Sequence, residues 1–215
     1  MSIRTIFLLA VFLGLASLLR ADEDGADIPL EAPDGWRGET IALPPDFAPG
    51  MKLRGVEKIR FAPGMFKPES DNFFSYVFVF RLDPKENLSQ KVVEREILVY
   101  YRGLAKAVGG EGMETGKFTL DLKKVEPAKG RKKSSAVIAS AGVLDWVEPF
   151  VTKKPQKLRL EFHFWKDNAE RFSYVFCCAS PAAFEKQIWK EMRGVRAKFL
   201  NAVPAHAPAK SSAAD

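Results

Sequence analysis

The chain has 215 residues with a net charge of +6, and its 17 phenylalanines point to one well-filled, Phe-rich core in a protein that is only mildly basic. Two adjacent cysteines, Cys177 and Cys178, exclude the disulfide framework of a small secreted domain, so stability has to come from packing. There are two histidines, and His206 stands in an Ala/Pro-rich tail, which leaves His163 alone to serve a rigid His-based site.

Residues 1–21 read as a secretory signal peptide. Arg4 supplies a positive start, residues 6–19 are an unbroken apolar and small run, and Arg20-Ala21-Asp22 ends it. As a helix that run reaches only about 21 Å, short of the roughly 30 Å hydrocarbon core that a permanent span must cross. Cleavage after Ala21 is the expectation, with retention as an N-terminal anchor the alternative. Two of the six net charges, Arg4 and Arg20, leave with the signal. The expected location is therefore secreted or periplasmic, and nucleic acid is not expected as a partner. No later segment has the apolar length of a membrane span.

Residues 22–35 are acidic and contain Gly and Pro, the composition of a loose leader to a single α+β domain expected over 36–200. Phe47-Ala48-Pro49-Gly50-Met51 returns as Phe61-Ala62-Pro63-Gly64-Met65. Pro-Gly turn chemistry accounts for this pair, and a recognition loop presenting Met and Phe is the functional alternative. A longer-range repeat follows: Phe74-Ser75-Tyr76-Val77-Phe78 recurs letter for letter as Phe172-Ser173-Tyr174-Val175-Phe176. Each copy follows a Lys-apolar-Arg-apolar segment, at 58–61 and 157–160, and each precedes an amphipathic helix. The repeat predicts two β-β-α halves related by an approximate twofold, with a binding groove between them.

The first helix is expected over 88–108, where Val93, Ile97, Tyr100, Tyr101, Leu104 and Val108 recur at helical spacing; Gly109, Gly110 and Gly112 stop it and form no phosphate loop. Phe118, Leu120 and Leu122 alternate with polar residues as a strand, and residues 137–144 are a more evenly apolar strand. Between them Lys129, Arg131, Lys132 and Lys133 form a basic loop, a candidate anion-binding site for acidic envelope polymers or lipid head groups. Leu158, Leu160, Phe162 and Phe164 alternate with Arg159, Glu161, His163 and Trp165. The second helix is expected over 181–200 with Ser180 as N-cap and Phe184, Ile188, Met192, Val195 and Phe199 as its stripe. Residues 201–215 read as a disordered Ala/Pro-rich tail.

The elements sum to an α+β two-layer sandwich: an antiparallel sheet of about six strands with both amphipathic helices on one face, the other face at least partly open. No metal or cofactor is expected. Neighbouring cysteines on a strand point to opposite faces and cannot share one ion with His163, and no Gly-x-Ser-x-Gly elbow is present. Arg159, Glu161, His163 and Trp165 are the candidate ligand or partner face. The leading expectation is an exported, non-enzymatic domain that binds a partner or ligand. The alternatives are a hydrolase centred on His163 and Glu161, or a protein that binds anionic envelope polymers.

Overall fold

The computed structural model describes residues 28–86, 88–125, 137–167, 169 and 171–205. Seven strands, β1 (Arg37–Leu43), β2 (Gly55–Phe61), β3 (Tyr76–Leu82), β4 (Thr119–Lys124), β5 (Ile138–Val147), β6 (Pro155–Lys166) and β7 (Ser173–Ser180), join two helices, α1 (Gln90–Gly109) and α2 (Gln187–Ala202). One sheet holds all seven strands in the order β1-β2-β3-β7-β6-β5-β4. Every neighbouring pair is antiparallel. The α+β class is as expected, but the sheet has seven strands where about six were expected. The extra one, β1, is an edge strand with only Leu43 fully buried, so its Arg-Gly-Glu-Thr-Ile-Ala-Leu carries little of the alternation that marks a half-buried strand.

The helices do not share a face. Val93, Ile97, Tyr101 and Ala105 of α1 pack with Phe78, Phe80, Phe162, Phe164 and Cys177 in one core. Ile188, Trp189, Met192, Val195 and Phe199 of α2 pack with Val77, Val79, Trp165, Tyr174, Phe176 and Cys178 in a second core on the other side. The reason lies in β3 and β7, which are apolar at nearly every position and buried throughout. A sheet covered on one side would leave Val77, Val79 and Phe176 in water, at about 1.5–3 kcal/mol per large apolar side chain. The result is three layers, with the central strands covered from both sides.

This arrangement also bears on the letter repeat. Tyr76 and Phe78 face the α1 core, whereas their counterparts Tyr174 and Phe176 face the α2 core. A twofold perpendicular to an antiparallel pair keeps side chains on the same face. The repeated residues are therefore not related by such an axis, and no groove between symmetric halves arises from it.

Local chemistry sets the element ends. Ser89 caps α1 by accepting the Val92 N–H, and Gly110, at φ +86°, closes it with its N–H on the Lys106 carbonyl. Helix α2 starts at Gln187 and not at Pro181. The Ser180 hydroxyl is engaged by Ser75 Oγ at 2.7 Å and accepts the Ala182 N–H, while the Ala182 carbonyl takes the Trp189 indole N–H, which folds residues 181–186 into a turn ahead of the helix. Phe184, expected in the apolar stripe, lies in that turn, 37 % exposed, with its ring tilted against that of Trp189 at 4.6 Å between centroids. Ile28 and Leu30, from the segment expected to be loose, are buried in the second core, where the Ile28 carbonyl accepts from Lys58 Nζ.

The sheet edges are treated differently. At β4 the Leu122 N–H donates to Glu94 and the Leu122 carbonyl accepts from Gln90, both on α1, and the Phe118 carbonyl accepts from Arg102. Helix side chains thus occupy backbone groups that an edge strand otherwise offers to another chain.

Candidate functional site

Strand β6 carries Arg159, Glu161, His163 and Trp165 on the face toward α2, because Leu158, Leu160, Phe162 and Phe164 fill the opposite core. The four do not form one open patch. Trp165 is only 3 % exposed, stacks on Tyr174 with ring centroids 5.6 Å apart, and donates its indole N–H to the Val203 carbonyl. It belongs to the second core. Arg159 donates to the Pro181 carbonyl in the turn before α2.

Glu161 is the centre of an ion cluster. Its carboxylate accepts from Arg193 Nη2 at 2.6 Å, Arg193 Nε at 3.2 Å and Arg196 Nη1 at 2.9 Å. Burial works to raise its pKa, but the two guanidinium groups prevail and hold the carboxyl below its ordinary range. Arg193 also lies 5.4 Å from the Trp189 ring centroid, so one guanidinium ties β6, α2 and the preceding turn together. His163 has a buried Nδ1 without a hydrogen-bond partner among the described residues. Burial, reinforced by the charge of Arg196, pushes its imidazole down to about 4, so it is neutral near pH 7.

Beyond α2 none of the described elements packs on the same sheet face over β4, β5 and β6. The register places Ala139, Ala141 and Val143 beside His163, Glu161 and Arg159, and Asp121 and Lys123 beside Val143 and Ala141. Residues 139, 141, 143, 159 and 163 are half-buried, and Asp121 and Lys123 are exposed and paired at 3.5 Å. The basic loop Lys129, Arg131, Lys132 and Lys133 lies outside the described residues. Two hollows of about 190 and 230 Å³ flank Trp146, lined by Glu114, Lys117 and Phe118 on one side and Pro155, Gln156 and Lys157 on the other. Both are smaller than the roughly 300 Å³ at which drug-sized ligand sites begin.

A buried polar cluster that the sequence analysis did not single out lies in the α1 core. Glu57 on β2 is fully buried and accepts from the Tyr100 hydroxyl at 3.1 Å. Burial pushes its carboxyl up to about 8, and neighbouring Glu39, itself raised by burial, adds to the effect. The Tyr76 and Tyr101 hydroxyls bond each other nearby. Glu57 shares its strand parity with Ile59 and Phe61, and that was the available signal. Cys177 and Cys178 are both buried thiols in opposite cores, and burial raises both, Cys178 to about 12. Among the described residues no group of three or more His, Cys, Asp or Glu side chains gathers in a metal-binding arrangement, and no helix is long and apolar enough to cross a membrane. Compared with known proteins, the chain matches no family model, no curated protein and no solved structure.

Proposed function

We propose that the chain is exported through residues 1–21 and acts outside the cytoplasm as a non-enzymatic domain, binding a partner or ligand on the half-face of β4, β5 and β6 beyond α2. The observation that carries this reading is the state of Glu161. Three hydrogen bonds from Arg193 and Arg196 commit its carboxylate to docking α2, while small and polar side chains beside it stay half-buried on a broad strip of sheet. The export half rests on the order of charge, apolar run and small residue in the first twenty-odd positions. The repeat of residues 74–78 at 172–176 supports a further element of the reading, a duplicated β-β-α unit whose second copy laid its helix on the other face.

The unpartnered Nδ1 of His163 is the one observation that favours a hydrolase instead. An imidazole titrating near 4 is a weak base, and its acidic neighbour is already committed. Two measurements test the proposal. A reporter active only after export, fused behind residues 1–25, becomes active, and charged replacements at Leu9 and Leu13 silence it. Amide shift mapping of the chain from Asp22 against peptides, glycans and small anions perturbs residues in 119–123, 139–145 and 157–163. Turnover in a hydrolase panel that disappears in His163→Ala would sink the non-enzymatic reading, and a silent reporter would sink export.

A further inference from the structure

At one end of the sheet the β2–β3 and β5–β6 connections meet. Phe66 of the first is 50 % exposed, and its ring centroid lies 5.9 Å from that of Phe150 in the second. Val151, next to Phe150, is 38 % exposed. Phe150 is anchored beneath by Phe74, 5.7 Å away, so the tip is continuous with the α1 core and stands on it.

The second connection is braced from inside. Glu148, fully buried, accepts the N–H groups of Phe150, Val151 and Thr152 and the Thr152 hydroxyl. A carboxylate collecting successive backbone donors fixes the turn, so Phe150 and Val151 are presented without further ordering cost. In the first connection Met65 is buried and its carbonyl accepts the Phe74 N–H, which leaves Phe66 as the residue turned outward. Lys67, Lys153 and Lys154, all exposed, adjoin these apolar residues in sequence; Glu69 and Asp71 follow beyond Pro68. The tip residues line neither of the two hollows beside Trp146.

We infer that Phe66, Phe150 and Val151 form a docking tip for a bilayer surface carrying anionic lipids, with Lys67, Lys153 and Lys154 meeting the head groups. Apolar side chains on a rigid turn, edged by ammonium groups on flexible stems, match the two layers of a membrane interface: acyl-chain boundary within, phosphate without. A soluble anionic polymer would meet the lysines but give the three apolar side chains nothing to enter. This surface lies apart from the β4–β6 half-face and is independent of what binds there.

The experiment uses the chain from Asp22, since the described core residues begin at Ile28. Sedimentation with phosphatidylcholine vesicles is compared with and without phosphatidylglycerol, over a salt series. Binding is expected only with phosphatidylglycerol and weakens with salt. The double variant Phe66→Ser, Val151→Ser lowers affinity about tenfold or more, and Lys153→Glu with Lys154→Glu does the same without touching packed atoms. A fluorophore on F66C, selective because both native thiols are buried, shifts to the blue on binding. The inference fails if no vesicle is bound, if the Ser variant binds like the parent with an unchanged melting temperature, or if the fluorophore does not respond. It also fails if charge reversal at Lys129, Arg131, Lys132 and Lys133 alone abolishes binding. Self-association removed by the Ser variant, in place of vesicle binding, would reassign the tip to a contact between copies.

Discussion

Glu57 shows how a single buried group sets a pH response. Its folded-state value of about 8 lies above the ordinary 4.5, so between those limits the folded chain holds a proton that the unfolded chain has lost. Folding stability from this group is complete below about pH 4.5 and declines as pH rises through 8. Glu57→Gln, which keeps an acceptor for Tyr100, is expected to remove that slope and raise stability at pH 8–9 by on the order of a few kcal/mol. Denaturant titrations of both chains at pH 5, 7 and 9 measure it, and equal slopes against pH would refute the assignment. His163 has the opposite sign. Its value near 4 lies below the ordinary 6.5, so its contribution is lost as pH falls from 6.5 towards 4. Neither shift is visible in a string of letters, because both come from burial. Alternation does place Glu57 in line with Ile59 and Phe61, but only the packed α1 layer shows that no water reaches it.

At the scale of elements, periodicity located the two helices and the strands with strong alternation, and the corrections came where side chains had other partners. Ser180-Pro181 is a sound helix start by local chemistry. The Ser180 hydroxyl does accept the Ala182 N–H, but the Ala182 carbonyl goes to the Trp189 indole N–H, and the chain turns through residues 181–186 before the helix begins at Gln187. Arg193 and Arg196 of α2 both turn to Glu161 and help to seat the helix on the sheet. Helix α1 is seated by close approach. A Cβ at Gly103 would lie 2.2 Å from the Phe47 carbonyl oxygen and 3.0 Å from the Ala48 Cα, both backbone atoms that cannot swing aside. Gly103→Ala gains about 1 kcal/mol of helix propensity, but overpacking against a fixed backbone costs about 1–3 kcal/mol. A net loss of stability is therefore expected in thermal or denaturant melts. A more stable variant would show that α1 can lift from residues 47–48 freely.

For the whole molecule the decisive fact is that β3 and β7 belong to both cores. Phe78 and Phe80 point into the α1 layer while Val77 and Val79 point into the α2 layer, so neither layer can open without exposing part of a strand the other depends on. One cooperative unit is expected. In native-state hydrogen exchange the amides of Tyr101 on α1 and Met192 on α2 should reach the same maximal protection; a markedly lower ceiling for Met192 would mean that the α2 layer opens separately. The sequence by itself determined the α+β class, the two amphipathic helices, the strands from residue 118 onward and the candidate strand of Arg159, Glu161, His163 and Trp165. Those follow from local periodicity, and periodicity survives without knowledge of neighbours. Only the tertiary structure decided the face on which each helix lies, the burial of Trp165, the pairing of Glu161 with Arg193 and Arg196, and the meeting of Phe66 with Phe150. Each of these joins residues far apart in the chain, and which partners meet depends on strand order and register that no local pattern carries.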